Sequence, residues 1–109
     1  MTLVRACSVD EVTTRPFVVE LPDFDVAIVK HGDDFFAIED LCSHGHVPLS
    51  EGELINGTVE CYLHGSTFDL RTGRALNLPA TRPVPVFPVV VDGDSLFIDP
   101  DSPLTFQEN

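Results

Sequence analysis

Two short clusters of cysteine and histidine are the residues best suited to chemistry in this sequence. The first, CSHGH, runs from Cys42 to His46, and the second, CYLH, runs from Cys61 to His64. Thiolate sulfur and neutral imidazole nitrogen are common protein ligands of zinc and of iron–sulfur centres. Sixteen residues separate His44 from Cys61, which leaves room for a hairpin that brings the clusters together. The spacing therefore predicts a metal centre held between two loops.

Two kinds of centre are compatible with these donors. A structural zinc site with two cysteines and two histidines needs only tetrahedral convergence, although zinc modules commonly pair their cysteines within about two to four residues. A dinuclear iron–sulfur centre with two cysteines on one iron and two histidines on the other takes one ligand of each kind from each loop. Each cluster of this sequence supplies one cysteine and one histidine of the set. The spacing alone does not decide between a zinc site and an iron–sulfur centre.

Short segments rich in β-branched and aromatic residues surround the clusters, and none shows a sustained helical period. Strands are predicted over 17–21, 25–30 and 35–40, with a hairpin around Gly32. Asn56-Gly57, a dipeptide suited to two-residue hairpin turns, predicts a second hairpin that leads into Cys61. The pattern predicts an all-β domain.

The second half of the chain carries further turn signals. Reversals are predicted at Thr72-Gly73 and, within a closing hairpin, at Asp92-Gly93. Prolines at positions 79, 83, 85 and 88 predict a stiff, extended loop between them, because proline excludes helix and central strand. The tail from Pro100 is predicted to be irregular.

Composition limits the classes of partner. The 109 residues include 18 acidic and 6 basic side chains, a formal net charge of -12, with 43% hydrophobic residues. A globular protein of this charge is a poor partner for nucleic acid or an anionic membrane; the acidity either attracts a basic protein surface or maintains solubility. No apolar run has the length of a signal peptide or membrane span, and three cysteines, an odd number, favour metal ligation in the reducing cytoplasm over disulfides.

The sequence resembles the Rieske ferredoxins at four short motifs. They are Cys42-Ser43-His44-Gly45, Leu49-Ser50-Glu51-Gly52, Cys61-Tyr62-Leu63-His64-Gly65 and Phe68-Asp69. The resemblance implies the Rieske fold, a small antiparallel β-sandwich or barrel with a cluster-binding subdomain formed by two loops. It implies a single domain over 1–109, with the cluster-binding part at about 40–80.

By the same resemblance, the cofactor is one Rieske-type [2Fe-2S] cluster. Cys42 and Cys61 would bind one iron, and His44 and His64 the outer iron. With two ferric ions, two sulfides, two thiolates and two neutral imidazoles the charges sum to zero, so reduction adds a single negative charge. Glycines 45 and 65 would let backbone N–H groups approach the sulfurs.

Two departures from the Rieske proteins of respiratory complexes predict a lower potential. Those proteins join the cluster loops by a disulfide, whereas the corresponding residues here are Val47 and Leu63. They also place a tyrosine two residues beyond a serine that corresponds to Ser66, where this chain has Phe68. Fewer donors and a strongly negative chain predict a potential in the lower part of the roughly -150 to +300 mV Rieske range.

The resemblance implies an electron carrier rather than an enzyme. Soluble members pass electrons from an NAD(P)H-dependent flavoprotein reductase to a terminal oxygenase, often one that dihydroxylates aromatic rings. The expected protein is a cytoplasmic monomer that docks through Gly45, His46 and the proline loop around Pro79. A Rieske protein of iron–sulfur assembly or of nitrite reductase is the alternative within the family. A zinc-stabilised interaction module is the alternative outside it.

The remaining candidate residues have simpler predicted roles. His46 competes with His44 as a ligand, but the resemblance favours His44 and leaves His46 on the loop surface. His31 is expected on a surface turn, and Cys7 is read as a small apolar residue. The acids flanking the first loop are expected to form a solvated rim or to steer a basic partner; they are Glu39, Asp40, Glu51 and Glu53.

Overall fold

The computed structural model describes residues 3–63 and 65–104, which form ten strands arranged in three antiparallel sheets. The strands are β1 (Val4–Ser8), β2 (Phe17–Glu20), β3 (Asp25–His31), β4 (Asp34–Glu39), β5 (Glu53–Ile55), β6 (Thr58–Glu60), β7 (Thr67–Asp69), β8 (Val86–Phe87), β9 (Val89–Asp92) and β10 (Ser95–Ile98). Two short 3-10 turns, Val9–Glu11 and Leu49–Glu51, are the helical segments within the described residues. The all-β prediction is therefore confirmed. No helix in this part of the chain is long and apolar enough to cross a membrane.

A central four-stranded sheet, ordered β2-β3-β4-β8, organises the molecule. Successive side chains of strand β3 point to opposite faces of the sheet, and residues 26–29 are all buried. Strand β3 is therefore covered on both faces. Val26 and Ile28 pack in one core with residues of β10, and Ala27 and Val29 pack in a second core with the cysteines of both clusters. The first core lies against the sheet β1-β10-β9, and the second lies against the sheet β5-β6-β7.

The β5-β6-β7 sheet lies between the two segments that carry the cysteine and histidine clusters. Ile55 pairs with Thr58, so Asn56 and Gly57 form the two-residue turn, with positive φ angles of 46° and 81°. Strand β6 then ends one residue before Cys61. The predicted hairpin is confirmed, and it delivers the second cluster to the side of the first.

The other predicted turns are present, one of them displaced by one residue. The turn of the β3–β4 hairpin contains Gly32, and the reversal near Gly73 is present. In the last hairpin Asp92 pairs with Ser95, so the turn is Gly93-Asp94 and lies one residue beyond its predicted position.

Two strands were not predicted from the sequence. Strand β1 pairs with β10 at the far end of the chain, a partner that no local turn signal announces. Strand β8 lies between Pro85 and Pro88 at the edge of the central sheet, where proline is tolerated. The irregular tail is tied down at Leu104, whose N–H donates to the Val86 carbonyl at 2.8 Å.

Candidate metal centre

The two cysteines of the clusters are buried in the same hydrophobic core, whereas the histidine of the first cluster is exposed. Cys42 and Cys61 are each 1% exposed and belong to the same group of buried residues. His44 is exposed. The fourth predicted ligand, His64, lies outside the described residues. The fold thus brings both predicted thiols together beneath a surface that carries an imidazole.

The first loop is a closed turn anchored on Cys42. The Cys42 N–H donates to the carbonyl of Val47 at 2.8 Å, and the Cys42 carbonyl accepts from the N–H of His46 at 3.2 Å. His46 has a φ of 55°, the left-handed region. The backbone therefore curls around the space next to the thiol.

The second loop repeats this hydrogen-bonding pattern at the same spacing. The Cys61 N–H donates to the carbonyl of Ser66 at 2.7 Å, and its carbonyl accepts from the N–H of Gly65 at 3.0 Å. Gly65 has a φ of 76°. Each cysteine therefore opens the same type of turn, with a left-handed residue four positions later, and the two turns frame one site.

This correspondence gives His46 a structural role. His46 occupies the position in the first loop that Gly65 occupies in the second, both defined by their bond to a cysteine carbonyl and by a positive φ. The sequence motifs pair Gly65 with Gly45 instead. Because glycine serves at the equivalent position of the second loop, an imidazole is not required there. The exposed side chain of His46 is what the sequence predicted.

A backbone donor reaches the sulfur of Cys42. The N–H of Gly45 donates to Sγ of Cys42 at 3.4 Å, as predicted. The N–H of Gly65 itself donates to the Cys61 carbonyl. Gly65 is needed for its positive φ, and a Cβ there would meet no atom within 4 Å.

The residues at the positions of the respiratory-type disulfide, Val47 and Leu63, both lie close to Gly45. A Cβ built on Gly45 would lie 3.1 Å from Cδ2 of Leu63 and 3.8 Å from Cγ2 of Val47. None of the described residues Cys7, Cys42 and Cys61 forms a disulfide. The Leu63 side chain of the second loop therefore lies beside Gly45 of the first loop, with no disulfide there.

The acids that flank the first loop have different roles. Asp40 is 8% exposed, and its two carboxylate oxygens accept from the N–H and the hydroxyl of Ser50 at 2.6 and 2.7 Å. Because Asp40 and Ser50 stand at the two ends of the loop, this pair closes its base. Asp40 is therefore a structural residue, and the predicted solvated or steering role is wrong for it. Glu51 and Glu53 are exposed, as that prediction requires.

Glu39 is partly withdrawn from solvent at the end of β4. Its N–H donates to the Pro85 carbonyl at 2.9 Å, and its side chain lines a cavity of about 240 Å³ that also borders Cys42, His46 and Arg82. Burial raises the pKa of the Glu39 carboxyl above its usual range. Glu39 is therefore only partly accessible at the surface, unlike the exposed Glu51 and Glu53.

Cys7 and His31 lie away from the loops, as predicted. Cys7 is buried in the other core, where desolvation raises the pKa of its thiol, so it stays protonated and inert. His31 is exposed on the β3–β4 turn, and its imidazole lies against Gly57, with Nε2 3.6 Å from the position of a Cβ on that glycine.

The donor set fits a dinuclear cluster. Within residues 3–63 and 65–104 no three His, Cys, Asp or Glu side chains form a group able to hold a metal ion. A Rieske centre asks for only two protein ligands on each iron. Two buried thiols, a sulfur-directed N–H and an exposed imidazole suit such a centre, in which the two cysteines would hold one iron.

Comparisons with known proteins agree with this geometry. Residues 2–88 match the family model described as the Rieske [2Fe-2S] domain. The 3-phenylpropionate/cinnamic acid dioxygenase ferredoxin subunit of Photorhabdus laumondii is 47% identical, over 74% of this chain and 87% of the relative.

Solved structures show the same likeness. The ferredoxin of carbazole 1,9a-dioxygenase from Nocardioides aromaticivorans IC177 is 35% identical with a TM-score of 0.87, covering 93% of this chain and 100% of that one. A chain from the complex of reduced oxygenase and oxidized ferredoxin in carbazole 1,9a-dioxygenase is 32% identical with a TM-score of 0.83, covering 88% and 91%. Sequence motifs, loop geometry and relatives lead to one conclusion: this chain belongs to the Rieske [2Fe-2S] family.

Proposed function

We propose that this chain is the electron-carrying ferredoxin component of an aromatic-ring dioxygenase system and works in the cytoplasm. The observation that carries the proposal is the division of the site into two buried cysteines and an exposed histidine. A Rieske cluster supplies one-electron oxidation and reduction when bound. A carrier needs such a group shielded on one side and approachable on the other. Similarity to dioxygenase ferredoxin subunits supports the same role.

The protein ligands in this proposal are Cys42 and Cys61 for the inner iron, and His44 and His64 for the outer iron. The two cysteines are held by equivalent closed turns, so their sulfurs are presented with little freedom. The N–H of Gly45 stabilises negative charge on Sγ of Cys42 and so helps to set the potential. The exposed imidazole of His44 provides a short path between the site and a docked protein.

The surface around the two loops that carry His44 and His64 suits the docking of partner proteins. Several apolar side chains of the second loop and the following segment are exposed: Tyr62, Leu63, Leu76 and Leu78, the last at 75%. An apolar patch of this kind is typical of a transient protein interface. The predicted docking rim therefore gains these residues, since Pro79 is itself partly buried and Leu78 beside it is the exposed one.

The terminal oxygenase and the flavoprotein reductase are proposed to use this same surface in turn. An electron carrier that exposes one redox-active edge can contact only one partner at a time. Similarity to a chain from an oxygenase–ferredoxin complex supports the oxygenase as one partner. The reductase follows from the need for an electron source that uses NAD(P)H. A monomer suits this alternation.

Spectroscopy and reconstitution test the proposal. The purified protein should be coloured, and its visible absorption should bleach with dithionite. Stopped-flow mixing of the reduced protein with the oxygenase of a 3-phenylpropionate dioxygenase system should give single-electron transfer. The flavoprotein reductase of that system should reduce the protein in the presence of NADH. A colourless zinc protein, or a reduced protein that transfers no electron to any such oxygenase, would contradict the proposal.

A further inference from the structure

One segment forms hydrogen bonds with both of the loops that carry the cysteine and histidine clusters. Residues 76–84, here called the strap, follow the second loop and carry two of the four predicted loop prolines. Ala80 and Val84 of the strap are each 3% exposed and belong to the same buried group as Cys42 and Cys61. The strap therefore packs directly on the core that contains both thiols.

The strap is bonded to the second loop chiefly through one side chain. The Asn77 carboxamide oxygen accepts from the N–H of Thr67 at 2.6 Å and from its hydroxyl at 2.8 Å. The Asn77 amide nitrogen donates to the Gly65 carbonyl at 3.1 Å. The N–H of Leu76 adds a bond to the Thr67 carbonyl at 2.8 Å. Asn77 thus forms hydrogen bonds with the residues on both sides of Ser66.

Ser66 is bonded to the strap as well. Its hydroxyl oxygen, in a residue 1% exposed, accepts from the N–H of Ala80 at 3.0 Å. Its backbone carbonyl is the acceptor for the Cys61 N–H. The strap therefore holds the residue that closes the Cys61 turn.

The other end of the strap is bonded to the first loop. The Ser43 hydroxyl donates to the Arg82 carbonyl at 2.6 Å, and an Arg82 Nη atom donates to the Ser43 carbonyl at 3.4 Å. Ser43 lies between Cys42 and His44. The two loops, which have no covalent link, are thereby joined through a third segment.

We propose that Asn77 is a positioning residue of the cluster site: it holds the second loop closed on Cys61, and the strap that bears it keeps this loop in register with the first. Asn77 is exposed and bonds to Thr67 and to the Gly65 carbonyl, so it acts through the loop backbone. This inference rests on the proposed role of Cys61 as a ligand. The proposal predicts that loss of the carboxamide loosens the second loop without unfolding the sheets β1-β10-β9 and β2-β3-β4-β8.

The test compares Asn77→Ala and Asn77→Asp with Thr81→Ala, a change at another exposed strap residue. The first readout is the rate at which the oxidised holoprotein loses its visible absorption in excess chelator. Three neutral hydrogen bonds near the lower end of their usual net contribution correspond to about tenfold faster loss for Asn77→Ala. Asn77→Asp keeps the acceptor but replaces the donor to Gly65, so an intermediate rate is expected. Thr81→Ala should stay within about twofold of the parent rate.

The second readout separates local positioning from general stability. Amide hydrogen exchange of the holoprotein should accelerate in peptides that cover 61–68 and should not change in peptides of β3 and β4. Equal acceleration everywhere would overturn the proposal in favour of a general effect on stability, and so would unchanged chelator and exchange rates in both Asn77 variants. If Asn77→Ala does not fold, Asn77→Asp and Thr67→Val, which removes one donor, decide the question by the same readouts. A parent protein without visible absorption would instead contradict the proposed function.

Discussion

Gly52 offers the sharpest test of how the fold sets the position of Cys61. Gly52 has a φ of -86°, so its backbone conformation suits any residue. Its neighbours do not: a Cβ on Gly52 would overlap the Glu60 carbonyl oxygen, lie 2.8 Å from the Glu60 carbonyl carbon and 3.3 Å from the Leu49 carbonyl oxygen. These are backbone atoms, so no side-chain rotation relieves the overlap. Glu60 ends β6 and is bonded directly to Cys61.

Gly52→Ala must therefore displace the end of β6 or the turn that contains Leu49. Overpacking of a tight site costs about 1–3 kcal/mol and occasionally more, and a backbone clash belongs at the upper end. We expect a loss of about 3 kcal/mol, with a thermal midpoint lowered by about 12 °C at roughly 4 °C per kcal/mol for a domain of this size. Because Cys61 moves with Glu60, the purified variant should also contain less iron per chain.

The matched control is Gly93→Ala. Gly93 has a φ of 62° and no atom within 4 Å of its Cβ position, so alanine there meets backbone strain without a clash. That strain is about 1–2 kcal/mol, and the turn lies in the sheet remote from the loops. Iron content should remain at the parent level. If Gly52→Ala kept its full iron content and lost no more thermal stability than Gly93→Ala, the close approach of these backbones would not position Cys61.

The other predictions concern the loop ends, the ligands and the potential. Asp40→Ala removes two bonds to Ser50 and should lower stability by about 2–4 kcal/mol in thermal melts, whereas an alanine at an exposed acid should change it by under about 0.5 kcal/mol. His46→Gly should keep the cluster, measured by the visible spectrum, and relieve about 1 kcal/mol of strain, whereas His44→Ala should lose the cluster; the reverse result would mean that the ligand assignment is wrong. Redox titration should place the potential in the lower part of the roughly -150 to +300 mV range, and Phe68→Tyr should raise it; a value near the top, or no rise, would contradict the donor argument.

The parts of the fold that the sequence predicted are those specified by local chemistry. The turns at Gly32 and Asn56-Gly57 need positive φ angles, which few residues adopt easily, so their sequence signals are strong. Strand β1 lacks such a signal because its partner β10 lies at the far end of the chain. Pairing of that kind is decided by tertiary packing, which a local pattern does not record.

The site divides in the same way. The candidate ligands were visible in the sequence because few side chains bind iron or zinc, and the two clusters combine two of them at a recognisable spacing. The supporting residues were not visible because their types are common in loops. The sequence predicts a solvated or steering role for Asp40, and nothing near Asn77 in the sequence shows that its amide meets Thr67. Such contacts depend on which distant segments the fold brings together, so only the folded structure reveals them.

The distribution of charge refines the reason for expecting a low potential. Residues 41–50 contain no Asp, Glu, Lys or Arg, and residues 61–88 contain one acid, Asp69, against three arginines. The excess negative charge therefore lies outside residues 41–50 and 61–88. At the end of the first loop, the Asp40 carboxylate already accepts two hydrogen bonds from Ser50. Exposed charges are screened over about 8–10 Å in physiological salt. The net charge of -12 thus acts weakly on an electron added between the loops. The potential should depend mainly on the donors that reach the sulfurs, and Phe68→Tyr should consequently change it more than neutralisation of an exposed acid such as Glu53.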